Sequence, residues 1–554
     1  MDKNGNVYEK TVLEPNDEIG EEDPEMLKKE MKLNDFFTLG WYTVLIMVVM
    51  KLISLNMIGN AFYMMFASAA PKIVSCGSHN FSTAADITES CKMLKEVLKT
   101  ENCMPEFSYQ FKSINVEWNY YCESTKIVKS SITYQMLGLL IGALVFGQVS
   151  DNYGRKKALL FTMTFNNVFI LASSYATNLV NFTILRFFVN VFNAGCIVVL
   201  PIFALEVLPP KHRYWINNIV GGAPIVIISA GIAYLCHDWI TYARIISFLG
   251  SIATISCCFL SESPRFLIQK GRMVEAKKVI QRICKIDRRK FDETMIDAVL
   301  DKENRAFLER QSKTKKYTLL HLFYTPNLTR YALSIGLTFF MTSMLTYALM
   351  FNLENIAGSI YMNLVLTGVV RYIAGGFMSL LEIKCPKVGR KTIHFGVLFV
   401  ASICLMTFFV VQVLGLQAQY ALLLRVMALI IMGFIAQIFL IASICATELF
   451  PTAIRNLSFS FGQFLNRIGV IMSPQVFFLT EIWHPLPYLA MFSLAVFNML
   501  FFQINVKETK NNPLGDHMPG PEESWCGRRK SKNRPDISNP FDENSKNLIE
   551  KDVV

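Results

Sequence analysis

Residues 206–213 read Glu-Val-Leu-Pro-Pro-Lys-His-Arg, and residues 448–455 read Glu-Leu-Phe-Pro-Thr-Ala-Ile-Arg. Both stretches have the spacing E-x-x-P-x-x-x-R, and each follows the fourth long apolar block of its half of the chain. Each half also carries a Gly-Arg-Lys turn after its second apolar block, at residues 154–156 and 389–391. Matching marks in the same order predict two similar halves, with a binding site near the bilayer midplane where the halves meet.

The apolar blocks are about twenty residues long and apolar on all sides, which is typical of helices that cross a bilayer. Of the 554 residues, 52% are hydrophobic and 18% are charged. The sequence therefore predicts an all-α membrane protein with twelve transmembrane helices in two pseudo-symmetric six-helix halves. The predicted spans are 41–66, 132–149, 158–176, 182–205, 216–236, 242–260, 331–351, 358–381, 393–414, 421–444, 457–479 and 484–504.

Polar segments flank and separate the two predicted halves. The linker between the halves and the turns after the second and eighth spans are rich in Lys and Arg, which favour the cytosolic side. With an even number of spans and no cleaved signal peptide, we expect a multi-pass plasma-membrane protein with both termini in the cytosol. The predicted segments are 1–40 (N-terminal), 41–260 (first half, with an extracellular loop at 68–131), 261–330 (linker), 331–504 (second half) and 505–554 (tail).

The extracellular loop carries cysteines and a glycosylation triplet. Cys76, Cys91, Cys103 and Cys122 form an even set outside the cell, which predicts two disulfides whose pairing the sequence leaves open. Asn80 heads the triplet Asn-Phe-Ser and is the predicted glycosylation site. The alternative is that the four thiols stay free and the triplet is unused.

Charge and motif content exclude several classes of function. A net charge of +11 would suit nucleic-acid binding, but the basic residues lie in loops between apolar blocks, so membrane topology explains them better. The sequence contains no Gly-rich phosphate loop, metal-ligand cluster or nucleophile motif. We therefore expect no enzyme, no cofactor, no metal and no nucleic-acid partner. The expected partners are a small organic ion and the lipid bilayer, and the oligomeric state stays open.

Charged residues at the predicted cytosolic ends of the spans are candidates for an inner gate. Acids and bases of the two halves can pair while the protein faces outward and separate when it faces inward. The alternative is that they are helix-end charges that reach the interface and set the topology. The candidate gating charges are Asp151, Arg155, Glu206, Arg213, Glu262, Arg265, Arg390, Glu448 and Arg455.

Three motifs resemble those of the major facilitator superfamily and, within it, the organic cation/anion/carnitine transporter family. Residues 147–156 are similar to the turn G-x-x-x-D-R-x-G-R-R/K, with Asn152 in place of the usual basic residue. Residues 262–267 resemble the E-S-P-R-W-L segment after the sixth helix, and residues 507–510 resemble P-E-T-K. The resemblance covers residues 35–515. It implies the major facilitator fold and transport of small organic ions by alternating access.

Two basic residues inside the predicted spans bear on the charge of the substrate. Arg371 and Arg467 lie where cation carriers of the resembled family have an acid, and anion and carnitine carriers have Arg at the second position. Ionisable groups at this depth are costly and usually functional. The alternative is a structural ion pair with a neighbouring helix. The candidate substrate-binding residues are Arg467, Arg371, Tyr347, Phe351 and Tyr361.

The resemblance and these two charges together predict a facilitative carrier or exchanger of organic anions. A carnitine-like zwitterion or an organic cation is the alternative substrate. The alternative from another class is a non-transporting receptor on the same fold, which would show no saturable uptake.

Overall fold

Long helices make up most of the structure, which is a computed structural model that describes residues 39–81, 87–100, 103–209, 222–289, 293–313, 318–352, 358–385, 388–451 and 454–509. One helix corresponds to each predicted span, and we number the spans first to twelfth in chain order. The first half contains Trp41–Ala67, Thr125–Tyr153, Arg155–Ser173, Leu179–Val207, Gly222–Cys236 and Trp239–Cys258. The second half contains Pro326–Phe351, Ile360–Lys384, Arg390–Val413, Ala421–Glu448, Arg455–Met472 and Leu486–Asn505.

Nine of the helices in the described part of the chain are by themselves long and apolar enough to cross a membrane. The remaining three spans are the third, the fifth and the eleventh. The third begins with three consecutive basic residues, the eleventh contains Arg455 and Arg467, and the described part of the fifth has 15 residues. These spans are recognisable because they occupy the expected places in the two halves.

Caps and prolines decide where several spans begin and end. The seventh span begins at Pro326 rather than at residue 331, because the Thr325 hydroxyl accepts a hydrogen bond from the Leu328 N–H at 3.2 Å. The eleventh span ends at Met472 rather than at residue 479. Since Pro474 cannot continue an α-helix, a 3-10 segment, Ser473–Glu481, follows.

Glycines let neighbouring spans approach closely. Gly142 of the second span faces the backbone carbonyl of Val191 on the fourth, and Gly469 of the eleventh faces that of Phe340 on the seventh. A Cβ atom at either glycine would overlap the facing carbonyl oxygen. Small residues at such crossings give the close van der Waals packing that holds helices together in lipid.

The linker between the halves is helical. It contains Pro264–Gln269, Met273–Ile286 and Glu293–Lys313. Asp287 Oδ1 accepts a hydrogen bond from the Tyr42 N–H at 2.8 Å, which ties the linker to the start of the first span. We call this side of the molecule the linker face.

The loop after the first span forms a small sheet on the opposite side, which we call the loop face. Strand β1 (Lys72–Cys76) lies between β2 (His79–Asn80) and β3 (Pro105–Ser108), antiparallel to both, and Ile87–Thr100 is helical. Disulfides join Cys76 to Cys103 and Cys91 to Cys122. The predicted pair of disulfides is therefore formed, with the pairing that the sequence left open. Asn80 is exposed on β2.

Candidate functional site

The first Gly-Arg-Lys turn lies at the linker face, where Arg155 is surrounded by acceptors of its own half. Arg155 Nε donates to Glu206 Oε1 at 3.1 Å, and Nη1 donates to Asp151 Oδ1 at 2.6 Å. The side chains of Arg155 and Glu206 are 8% and 13% exposed, whereas that of Asp151 is 68% exposed. The Arg155–Glu206 pair is thus the better shielded of the two, because exposed ion pairs contribute little.

Glu262 holds the same turn through its backbone. Its Oε1 accepts hydrogen bonds from the N–H groups of Arg155 and Lys156 at 2.9 and 3.0 Å. These N–H groups begin the third span, where a helix has unpaired donors and favours a negative charge. Gly154 has φ +114°, and a Cβ atom there would overlap the Glu262 carboxylate. The turn therefore requires glycine both for its conformation and for the approach of the acid.

The second Gly-Arg-Lys turn repeats this arrangement in the other half. Arg390 pairs with Glu448, the repeat of Glu206. Glu508 accepts hydrogen bonds from the N–H groups of Arg390 and Lys391 at 2.9 and 3.1 Å, as Glu262 does in the first half. A Cβ atom at Gly389 would overlap the Glu508 carboxylate.

Glu508 is a site residue that the sequence reasoning missed. A signal was present, because Glu508-Thr509 follows the last span of the second half as Glu262-Ser263 follows the last span of the first. The helix-capping role of Glu508 is visible only in the structure, because the turn and the end of the last span are far apart in the chain and meet only in the fold.

The described gating pairs do not cross between the halves, and the pairing across the halves that is expected of the outward-facing state stays a prediction. Arg155 with Glu206 and Arg390 with Glu448 each join residues of one half. The reason is that the third span begins beside the end of the fourth, and the ninth beside the end of the tenth. Arg265 lies in the first turn of Pro264–Gln269, and Arg455 begins the eleventh span. Arg213 lies outside the described residues.

The hydrogen bonds and aromatic ring contacts that join the two halves among the described residues lie at the loop face. The Tyr361 ring, at the start of the eighth span, packs on Phe66 at 5.7 Å and on Tyr234 at 5.4 Å. Its hydroxyl donates to the Gln110 backbone oxygen at 2.9 Å, and Gln110 Oε1 accepts from the Ile360 N–H at 2.9 Å. The structure thus places Tyr361 in a contact between the halves.

The loop segment that contains Gln110 is anchored on the first half. The Ser113 hydroxyl donates to the Ala69 oxygen at 2.6 Å, and Asn115 Nδ2 donates to the Ser68 oxygen at 2.8 Å. Phe111 packs on Phe66 with ring centres 5.4 Å apart. Residues 110–115 therefore bridge the first half and the start of the eighth span.

The loop-face contact also includes Gln475 Nε2, which donates to the Thr133 hydroxyl at 2.7 Å.

The interior of the second half brings together four of the five candidate substrate residues. Arg467 is 9% exposed on the eleventh span, and Arg371 is half-buried on the eighth. Tyr347 of the seventh span lies near both guanidinium groups, and its ring lies 6.0 Å from that of Phe351. Within the described residues, neither arginine has an acidic side chain within ion-pair distance. Two cations and a phenol thus share one region.

A known protein family matches most of this chain. The family model described as "Sugar (and other) transporter" matches residues 97–517. The chain belongs to this family, which is part of the major facilitator superfamily. Members of this family are transporters and not enzymes, which confirms the expected class.

Curated relatives of this transporter include organic ion carriers. An organic cation transporter protein of Drosophila melanogaster is 29% identical over 426 residues, which cover 75% of this chain and 76% of the relative. Solute carrier family 22 member 4 of Mus musculus is 28% identical over 411 residues, covering 72% and 71%. These similarities confirm the resemblance to the organic cation/anion/carnitine transporter family.

Solved structures agree with the fold of this transporter. The inward-open xylose transporter XylE of E. coli is similar with a TM-score of 0.57 at 14% identity, covering 85% of this chain and 98% of that protein. The predicted all-α major facilitator fold of twelve helices is confirmed. The protein is thus a multi-pass membrane transporter that acts on small organic substrates.

Proposed function

We propose that this transporter carries small organic anions across the plasma membrane, as a facilitative carrier or exchanger that works by alternating access. The observation that carries the proposal is the pair Arg371 and Arg467, which lack an acidic partner among the described residues. A guanidinium keeps its charge at any physiological pH and can hold a carboxylate with two parallel hydrogen bonds. A substrate carboxylate would supply the counter-charge that the protein omits.

The same two charges disfavour an organic cation. At 4 Å and an effective dielectric constant of 20, two like unit charges repel by about 4 kcal/mol, which corresponds to roughly a thousandfold in affinity. Relatives named as cation transporters are similar to this chain, but the family resemblance of these two motifs implies acids in cation carriers at the positions of the arginines. We therefore infer that this chain has the family fold with the opposite charge preference.

The contacts between the halves support alternating access. At the loop face the halves meet where the Tyr361 ring packs on aromatic rings of the first half and where Gln110 accepts a hydrogen bond from the eighth span. At the linker face, the described gating pairs remain within each half. This combination fits a state that is closed at the loop face and open at the linker face. Because the linker is basic, we assign the linker face and both termini to the cytosol, so the state is inward-facing.

A carnitine-like zwitterion is the second candidate substrate. The ring of Tyr347, which lies near the two arginines, is 6.0 Å from the ring of Phe351. An aromatic face attracts an ammonium group, so a molecule with a carboxylate and a distant ammonium group could use both features. If the carboxylate and the ammonium group of the substrate are close together, the ammonium group lies next to a guanidinium and is repelled by it. We therefore favour an anion without an ammonium group.

Uptake into cells that express the full chain tests the proposal. Labelled urate, a dicarboxylate, carnitine and a quaternary amine are compared at equal concentrations, with uptake normalised to surface protein. We expect saturable uptake of a labelled anion. Unlabelled anions should inhibit this uptake, and quaternary amines should not. Saturable carnitine uptake alone would favour the zwitterion, and saturable amine uptake alone would contradict the charge argument. Absence of saturable uptake for all four would favour the receptor alternative.

A further inference from the structure

Arg186 of the fourth span is a buried cation that neither the gates nor the proposed substrate site uses. Its side chain is 1% exposed, and its guanidinium carbon lies 4.1 Å from the centre of the Tyr63 ring. One nitrogen, Nη2, donates to the Asn60 backbone oxygen at 3.4 Å, near the long limit of a hydrogen bond. Since the fourth span starts at Leu179, Arg186 lies about 10 Å along the helix from its loop-face end.

The guanidinium of Arg186 has unused donors and no counter-charge from the described chain. Its Nε and Nη1 atoms have no hydrogen-bond partner among the described residues. The Tyr63 ring stacks on the guanidinium, and the Tyr242 ring packs on that of Tyr63 at 5.9 Å; neither phenol supplies a negative charge at neutral pH. Arg155 and Arg390, by contrast, each pair with a glutamate. Arg186 therefore differs from the linker-face arginines in its lack of an acid.

Burial makes such an unpaired cation costly. A guanidinium cannot give up its proton to escape the loss of hydration, as a buried lysine can. The stacking of the guanidinium on one tyrosine ring compensates only part of the hydration free energy that is lost on burial. A bound anion would supply the missing charge and accept the free N–H groups.

Two asparagines add further donors around Arg186. Asn60, whose backbone oxygen Arg186 contacts, is 3% exposed, and both polar atoms of its side chain lack a partner among the described residues. Asn190 follows Arg186 by one helical turn on the same face, is 4% exposed, and its Nδ2 also lacks a described partner. Unused N–H donors outnumber unused acceptors at this place, which selects for an anion.

Aromatic side chains enclose the site towards the loop face. Phe182, one turn before Arg186, packs edge-on against Trp239 at 5.6 Å and against Trp118 of the loop at 5.9 Å. Phe182 and Trp239 are at most 1% exposed. The enclosure restricts the ligand to a small one.

We propose that Arg186, Asn60 and Asn190 bind a small monovalent inorganic anion, of the size of chloride, as a fixed counter-ion of the first half. The site is separate from Arg371 and Arg467 in the second half, so the inference goes beyond the proposed substrate. The bound anion stabilises the packing of the first and fourth spans.

Thermal unfolding of the purified full-length protein in lipid nanodiscs tests this site without any organic substrate. The midpoint is measured while sodium chloride replaces sodium gluconate at constant ionic strength, because gluconate is a much larger anion than chloride. A ligand that binds only the folded state raises the midpoint in a saturable way. We expect chloride and bromide to raise it by a few degrees.

Three variants locate the effect. Asn60→Asp places a carboxylate beside the guanidinium, so the midpoint in gluconate should rise and the chloride effect should vanish. Arg186→Gln removes the charge and should also abolish the chloride effect, which keeps the test valid if Asn60→Asp does not fold. Arg467→Gln is the comparison variant, because Arg467 of the proposed substrate site could also attract chloride; a chloride effect that Arg186→Gln loses and Arg467→Gln retains lies at Arg186.

Two results would overturn the proposal. One is a wild-type midpoint that is the same in chloride and gluconate. The other is a chloride effect that survives in Arg186→Gln, and its loss in Arg467→Gln would then place the anion at the substrate arginines. Because no substrate is present, a failure of the organic-anion proposal leaves this readout unchanged.

Discussion

The arginines at the linker face and the arginines inside the spans have different neighbours. Arg155 and Arg390 each pair with a glutamate, and the backbone of their turns is held by a second one. Arg371 and Arg467 have no acidic partner among the described residues. A buried cation that the fold itself neutralises contributes to the structure, whereas an unneutralised one is destabilising and leaves its charge available to a ligand.

The two regions also differ in symmetry. The linker-face turns repeat in both halves, down to the glutamates that cap the third and ninth spans. The proposed substrate arginines belong to the second half alone, and Arg186 lies in the first. A moving part shared by two halves can be symmetric, but a site for one asymmetric ligand cannot be.

Replacing the interior cation should give the largest effect. Arg467→Asp should lower anion uptake at least about 100-fold, because removal of a buried charge partner costs roughly 3 kcal/mol. Arg467→Lys should retain part of the uptake, since the charge remains but the two-pronged hydrogen bonding is lost. Uptake of one anion and one quaternary amine is measured and normalised to surface protein. Unchanged anion uptake by surface-expressed Arg467→Asp would refute the anion site, and loss of both variants from the surface would indicate a structural ion pair.

Breaking a paired arginine at the linker face should lower the rate and leave binding intact. Glu448→Gln should reduce maximal uptake about tenfold with little change in the concentration for half-maximal uptake, because the Arg390 pair lies far from the substrate arginines. Glu206→Gln is the matched variant in the other half and should behave alike. Initial rates over a range of substrate concentrations give both quantities. A change in apparent affinity alone would show that Glu448 acts on the substrate.

Weakening the loop-face contact should have a smaller effect. Gln110→Ala removes the hydrogen bond from the Ile360 N–H, worth about 1 kcal/mol, and should shift the balance towards the outward-open state about fivefold. The concentration for half-maximal uptake from outside should fall accordingly. Tyr361→Phe, which loses the bond to the Gln110 oxygen but keeps the ring contacts, should act in the same direction. An increase in that concentration for both variants would place these residues in the substrate site instead.

Removal of the predicted glycosylation site should have the smallest effect on transport, and it tests which of the two faces is extracellular. Asn80→Gln should remove the mass shift that deglycosylation produces and should leave uptake unchanged, because Asn80 is exposed on the loop-face sheet. Asn327 and Asn456 also head N-x-S/T triplets but lie at the linker face, so their Gln variants should keep the shift. A shift that survives loss of Asn80 and disappears with Asn327 would reverse the assigned orientation.

The sequence alone determined the number and order of the spans, their division into halves, and the residues of the repeated turns. Such features are readable because a bilayer requires about twenty consecutive apolar residues and because each repeat is local in the chain. The arginines at 371 and 467 were visible for the same reason, since charges inside apolar blocks stand out.

Only the tertiary structure decided which groups meet. Four cysteines allow three pairings, and the loop sheet selects Cys76 with Cys103 and Cys91 with Cys122. Packing within each bundle directs Arg155 to Glu206 in its own half, places Tyr361 between the halves, and leaves Arg186 without an acid among the described residues. These outcomes depend on contacts between residues far apart in the chain, and no local pattern of apolar or charged residues encodes them.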